Sequence, residues 1–228
     1  MRRLLPAAVA ALVLLVVALA NVDLLSGRST PSFRDLATTQ RPARALASSL
    51  GTSALNPSAS FGQPFHGNPN LVLAYPFPAA PRWLGVQLLL HALLGGLGFL
   101  VFLSLLGRSG DAALAGALAF SFSGYALSCT AFLNATTTLA WIPWLLAAVA
   151  VARREGGPAF RLGFLGVAAS SLLLAHGGEP ALGLLGILLA FAFALSGFRG
   201  ERLRPLGALA GGGLGGVAVA VVSSWFVY

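Results

Sequence analysis

The sequence predicts an all-α fold: a polytopic transmembrane bundle of about seven spans, with one long exported loop after the first span. Three observations predict it. Hydrophobic residues make up 57% of the 228 residues and charged residues 9%, whereas a soluble domain carries roughly a quarter charged residues. With a mean hydropathy of +0.85, the chain has too few charges to coat a water-facing surface. The apolar residues also fall into seven runs long enough, or nearly so, to cross about 30 Å of hydrocarbon at about 1.5 Å per residue. Finally, the basic residues lie mainly between these runs.

The runs fall near Leu4–Leu25, Trp83–Leu106, Ala112–Phe132, Ala135–Val151, Phe160–Ala175, Pro180–Phe198 and Leu206–Tyr228. The first follows Met1-Arg2-Arg3 and contains Ala18-Leu19-Ala20, a sequence of signal-peptidase type. Its apolar stretch exceeds a signal h-region, so it reads as an uncleaved span. Residues 26–81 form the exported loop, punctuated by Pro, Ser, Asn and Gly. Inside it, Pro42–Leu50 predicts a short interfacial helix with Pro42 in its first turn and Gly51 at its C-cap. The remaining spans, 82–228, form the main bundle, and the chain stops at Tyr228 within the seventh run, as a fragment or a minimal module would. Pro143 predicts a kink in the fourth run.

The net charge of +8 comes from 14 basic residues, all of them Arg, against 6 acids. The Arg residues form no stripe, so nucleic-acid binding is not indicated. They read as topology determinants. With the N-terminus inside, nine lie inside (Arg2, Arg3, Arg108, Arg153, Arg154, Arg161, Arg199, Arg202, Arg204) and five outside (Arg28, Arg34, Arg41, Arg44, Arg82), as the positive-inside rule requires. The one cysteine, Cys129, has no intrachain partner. No nucleotide-binding loop, zinc motif or nucleophile elbow is present.

Three places could carry chemistry. Asp35, beside Arg34, reads either as a solvated loop acid or as a general base at the membrane surface. The stretch from Asn56 to Pro78 interleaves Asn-Pro pairs, glycines and aromatics, which suits a shaped loop better than a spacer. In HGGEP, His176 reads as a turn residue rather than a metal ligand. Glu179 either favours the N-terminal dipole of the helix that Pro180 starts, or faces water, a cavity or a partner. Within the spans, His91 reads as a packing residue, and Ser121, Ser123, Ser128, Thr130 and Asn134 as interhelical hydrogen-bonding groups. Asn134-Ala135-Thr136 matches a glycosylation sequon too close to the membrane to carry weight.

Taken together, these residues resemble the bacterial YfhO-type membrane proteins of the GT-C glycosyltransferase superfamily. The resemblance rests on Asp35 followed by Gln40, Pro42 and the short helix. It also rests on the series Asn56, Pro57, Gly62, Pro64, Asn68, Pro69, Tyr75 and Pro76, on ALAFSFSGY leading to Asn134 and then Trp141-Ile142-Pro143, and on HGGEP. It covers about residues 30–200. Leu55 stands where Trp is frequent in that family, and Glu179 where Gln is frequent.

The resemblance implies sugar transfer from a polyprenyl-phosphate donor to a cell-envelope acceptor outside the bacterial cytoplasmic membrane, among membrane lipids. It implies Asp35 as general base and Arg34 or Arg82 at the donor phosphate. Gln40, Asn56, His66, Asn68, Tyr75, His176 and Glu179 are then expected to contact substrate. Some members of the superfamily use a divalent cation, but no metal ligand set is legible here. The competing readings are a non-enzymatic protein that binds or transports lipid-linked sugars, motivated by the few intramembrane charges, and an inactive fragment, motivated by the end at Tyr228.

Overall fold

The computed structural model describes residues 22–26, 28, 36–51, 78–80, 82–154, 157–196 and 203–225. The described residues form helices and turns with no strand. Short α1 (Val22–Leu25) is followed by a π-helical turn (Leu36–Gln40) that runs into α2 (Arg41–Leu50). The bundle proper comprises α3 (Trp83–Leu105), α4 (Gly110–Ser121), α5 (Gly124–Cys129), α6 (Leu133–Ala152), α7 (Gly157–His176) and α8 (Pro180–Leu195). It ends in α9 (Leu203–Ala208), which continues through a π-helical segment (Leu209–Gly213) into α10 (Leu214–Trp225).

Among the described residues, three helices are long and apolar enough to cross a membrane: α3, α6 and α7, with mean hydropathies of 2.3, 1.6 and 1.5. They differ in what surrounds them. Of the apolar window of α6, 72% is buried in protein, against 33% for α3 and 28% for α7. Helix α6 is therefore the central element, and its neighbours present apolar surface outward. One face of α8 shows this directly, with Leu184, Leu185, Leu188 and Phe191 all exposed. A soluble monomer would not leave so large an apolar face uncovered, and hydrocarbon would cover it.

The third apolar run is not one helix. Phe122 leaves helical geometry (φ −103°, ψ 12°), and Ser123 caps α5 by accepting from the Ala126 N–H at 3.1 Å. A local serine cap thus divides a stretch whose hydropathy alone reads as continuous. The seventh run carries the π-helical segment at its glycines. The expected loop helix spans Arg41–Leu50, with Pro42 in its first turn. Gly51 ends it at φ 93°, its N–H donating to the Ala47 carbonyl at 2.8 Å. Of the first run, only Val22–Leu25 falls within the described residues.

Helix α6 packs its Ile142, Leu145 and Val149 against Val167 and Leu174 of α7 and Ala190 and Ala194 of α8. Close approach needs small residues, since dispersion contacts, not hydrophobicity, hold helices together in lipid. A Cβ on Gly98 of α3 would lie 2.7 Å from Trp144 Nε1 of α6, whose N–H donates to the Leu94 carbonyl at 3.0 Å. A Cβ on Gly216 of α10 would overlap the Ala168 carbonyl oxygen of α7.

The chain alternates direction, so its connections sort to two ends. At one end lie the starts of α3, α6 and α8 and the close of α7, where Leu84 and Leu88 pack with Leu133, Trp141 and Leu173. The other end is rich in arginine. There Arg153 Nη2 donates to Ser196 Oγ at 3.1 Å and its guanidinium lies 4.0 Å from the Phe193 ring centre, while Arg204 Nη1 reaches the Arg154 carbonyl at 3.5 Å.

Neighbouring glycines give a test of this packing. Gly216→Ala is expected to destabilise the bundle by about 1–3 kcal/mol through overpacking. Gly215→Ala, whose Cβ meets open space, is expected to be neutral or to stabilise by up to about 1 kcal/mol. Thermal unfolding of the two variants in mild detergent reads the difference, and equal midpoints would contradict the α7–α10 contact.

Candidate functional site

The polar side chains held between helices gather at the end where α3, α6 and α8 begin. Two clusters form it, on either side of the Leu84–Leu133 contact.

The first cluster is organised by three consecutive threonines of α6, buried at 5%, 0% and 0% exposure for Thr136, Thr137 and Thr138. Each satisfies a different neighbour. Thr136 Oγ1 donates to the Cys129 carbonyl at the close of α5 (2.7 Å), so the hydroxyl of the Asn134-Ala135-Thr136 sequon is committed to packing. Thr137 Oγ1 lies 2.8 Å from the Gly177 carbonyl and 2.9 Å from the Leu133 carbonyl. Thr138 Oγ1 accepts from the Glu179 N–H at 3.2 Å. Buried backbone groups in a turn must find partners, and here the hydroxyls of α6 supply them.

The result is a fixed Glu179. Its carboxylate does not cap its own helix; Oε2 accepts from Asn134 Nδ2 at 3.0 Å, and the same amide lies 3.5 Å from the Gly178 carbonyl. The dipole reading of Glu179 is therefore incomplete, because the side chain is tied across to α6. Glu179 is partly exposed, as is His176 at the close of α7. Among the described residues no three His, Cys, Asp or Glu side chains gather as a metal site.

The second cluster lies where α2 meets α3. Arg44 is 1% exposed and Gln87 0%. Arg44 Nη2 donates to Gln87 Oε1, and Nη1 to the Pro78 carbonyl at 3.2 Å. One turn on, His91 is buried, with Nδ1 2.7 Å from the Gln87 carbonyl and its ring edge-on to Trp141. Gln40 is buried at the junction of the π-helical turn and α2. Burial pushes the Arg44 guanidinium down, to about 10. That is still far above neutrality, so Arg44 is a buried cation. No carboxylate among the described residues pairs with it.

Beside these clusters, a cavity of about 300 Å³ opens between α3, α4, α5 and α6. Leu93, Leu97, Leu118 and Leu127 line it, together with His91 and Thr136. It suits hydrocarbon, and its wall includes the same His91 that bonds the Gln87 backbone.

Four of the expected site residues are described: Gln40, Arg82, His176 and Glu179. Gln40 is buried directly before α2, which carries Arg44; the exposed Arg82 directly precedes α3; His176 closes α7, and Glu179 is bonded within the threonine cluster. Asp35, Arg34, Asn56, His66, Asn68 and Tyr75 lie outside the described residues. Sequence reasoning did not single out Arg44 or Gln87. A signal existed: Gln87 is the one amide in the apolar α3, four residues before His91, and a polar pair at helical spacing inside a span is costly unless partnered.

No family model, no curated protein and no solved structure matches the chain.

The Arg44–Gln87 bond makes a specific energetic prediction. Gln87→Leu removes an acceptor from a buried cation and is expected to cost about 2–3 kcal/mol. Adding Arg44→Met should recover most of that loss. Amide exchange over Arg41–Leu50, where loss of the anchor would open α2 first, measures both. Purely additive effects would contradict the coupling.

Proposed function

We propose that the chain is the membrane-embedded module of an inverting glycosyltransferase of GT-C type. In this reading it spans the bacterial cytoplasmic membrane about seven times with its N-terminus inside, and residues 26–81 are exported. It moves a sugar from a polyprenyl-phosphate donor to an extracytoplasmic acceptor. The observation that carries the reading is the Asn134–Glu179 bond at 3.0 Å. The two residues come from separate motifs of the resemblance, 45 positions apart, and meet at the end of the bundle where residues 26–81 would enter α3.

In the transfer, the acceptor oxygen attacks the anomeric carbon from the face opposite the phosphate. The carbon–oxygen bond to phosphate breaks, and the phosphate leaves with the bonding electrons. The acceptor proton passes to the Asp35 carboxylate. Arg34 or Arg82 meets the donor phosphate, and bidentate guanidinium pairing suits that group. Arg82 is exposed at the start of α3 and so accessible to a headgroup. Glu179, held by Asn134, orients a sugar or acceptor hydroxyl, with His176 beside it and Gln40, Asn56, His66, Asn68 and Tyr75 contributing from the loop.

Release of labelled sugar from polyprenyl-phosphate donors, by membranes carrying the chain, tests the reading. Asp35→Asn is expected to lower turnover by about 100-fold or more. Glu179→Ala is expected to raise KM more than it lowers kcat. Undiminished turnover in Asp35→Asn removes that residue from the mechanism. Movement of labelled lipid across vesicles with no glycosidic product replaces transfer with transport.

A further inference from the structure

We infer that Arg44, Gln87 and Trp83 form a binding site for a phosphate monoester anion, distinct from the exposed arginines assigned to the donor above. Three N–H donors without an acceptor among the described residues lie in one region: Arg44 Nε, Gln87 Nε2 and Trp83 Nε1. Arg44 and Gln87 are bonded to each other. Trp83 stands one helical turn before Gln87, on the same face of α3.

Two of the donors, on Arg44 and Gln87, are fixed in direction. Arg44 directs one N–H of Nη1 at the Pro78 carbonyl and one of Nη2 at Gln87, while Nε makes no bond among the described residues. The guanidinium has no acceptor atom, so the Gln87 oxygen must face it and its NH2 group must point away. The Trp83 ring carries a donor only. Unmet buried donors are costly, and a buried cation without a counter-ion is costlier still. A ligand that brings negative charge and several acceptor oxygens removes both penalties. Phosphate has that chemistry, and guanidinium is its common protein partner.

The approach lies beside Trp83, which is partly exposed. One turn further into the bundle, His91 lines the apolar cavity of about 300 Å³. None of the three site residues lines that cavity, so the chain of a single-chain lipid would have to extend one helical turn to reach it; free phosphate is the other source of the anion. The inference stands on this geometry and not on sugar transfer.

Binding of inorganic phosphate, farnesyl monophosphate and farnesol to the purified full chain in detergent tests it, by equilibrium binding of labelled probes. Farnesyl monophosphate is expected to bind and farnesol not. Arg44→Gln should weaken binding by about tenfold to a hundredfold. Trp83→Phe, which removes the ring N–H and keeps the charge, should weaken it by about threefold to tenfold. Arg108→Gln, exposed at the opposite end, should leave it unchanged. Competition by inorganic phosphate at equal concentration identifies the free anion as the natural ligand; competition only at great excess identifies the lipid.

Wild-type affinity in both Arg44→Gln and Trp83→Phe overturns the site, as does failure of either phosphate compound to bind. Binding that emerges only in Asp35→Asn makes that carboxylate the Arg44 counter-ion and overturns the proposal. Phosphate binding without sugar release keeps the site and removes the transferase. Sugar release unchanged in an Arg44→Gln chain that binds no phosphate compound keeps the transferase and confines the site to another role.

Discussion

The hydrogen bonds that α6 sends to its neighbours are the constraint on which the functional end depends. A helix surrounded by other helices in hydrocarbon has no water to satisfy polar groups around it. Thr136, Thr137 and Thr138 answer that requirement in three directions, to the close of α5, to the Gly177 carbonyl and to the Glu179 N–H. The turn between α7 and α8 is thereby locked to α6. Glu179 inherits its position from the turn and from Asn134. A carboxylate at a membrane boundary that hung from a free turn would swing into water. Tied at its backbone and side chain, it is held in place.

The same economy explains why the two ends differ. At the arginine-rich end, Arg153 bonds a serine and lies over an aromatic ring, and Arg204 bonds a backbone carbonyl. Those contacts anchor long side chains at a boundary, as snorkelling arginines do. At the other end Arg44 is turned inward instead, 1% exposed, and bonded to groups that carry no formal charge. Both are arginines beside a span, yet their physical situations are opposite. The first satisfies a charge at low cost; the second keeps a charge in a place that favours an incoming anion.

Much of the architecture was legible in the sequence because length and hydropathy act over many residues. Helices α3, α6 and α7 fall within a few residues of their apolar runs, and Arg41–Leu50 forms with Pro42 and Gly51 where capping rules place them. The break at Phe122–Ser123 was not legible, because one serine cap changes hydropathy little while ending a helix. The π-helical segment at Leu209–Gly213 escaped for a related reason: a glycine-rich stretch is compatible with several helical geometries, and packing on Phe164 and Val167 selects among them. At the site, Glu179 and Asn134 stood out as polar residues at a span boundary. Their bond did not, since it joins separate parts of the chain. Arg44 was counted only as a charge for orientation, and nothing in its local sequence separates a buried arginine from an exposed one such as Arg82. Asp35 and the Asn-Pro series carry much of the functional reading and lie outside the described residues.

The central claim is that the end bearing Arg44, Asn134 and Glu179 faces the outside of the cytoplasmic membrane. Single-cysteine labelling tests it most directly. In a Cys129→Ser background, Ser48→Cys reports on the α2 end and Ser109→Cys on the arginine-rich end; both positions are exposed. A membrane-impermeant maleimide should label Ser48→Cys in intact spheroplasts and Ser109→Cys only after lysis. The reverse pattern would place the candidate site on the cytoplasmic face and contradict transfer to an extracytoplasmic acceptor.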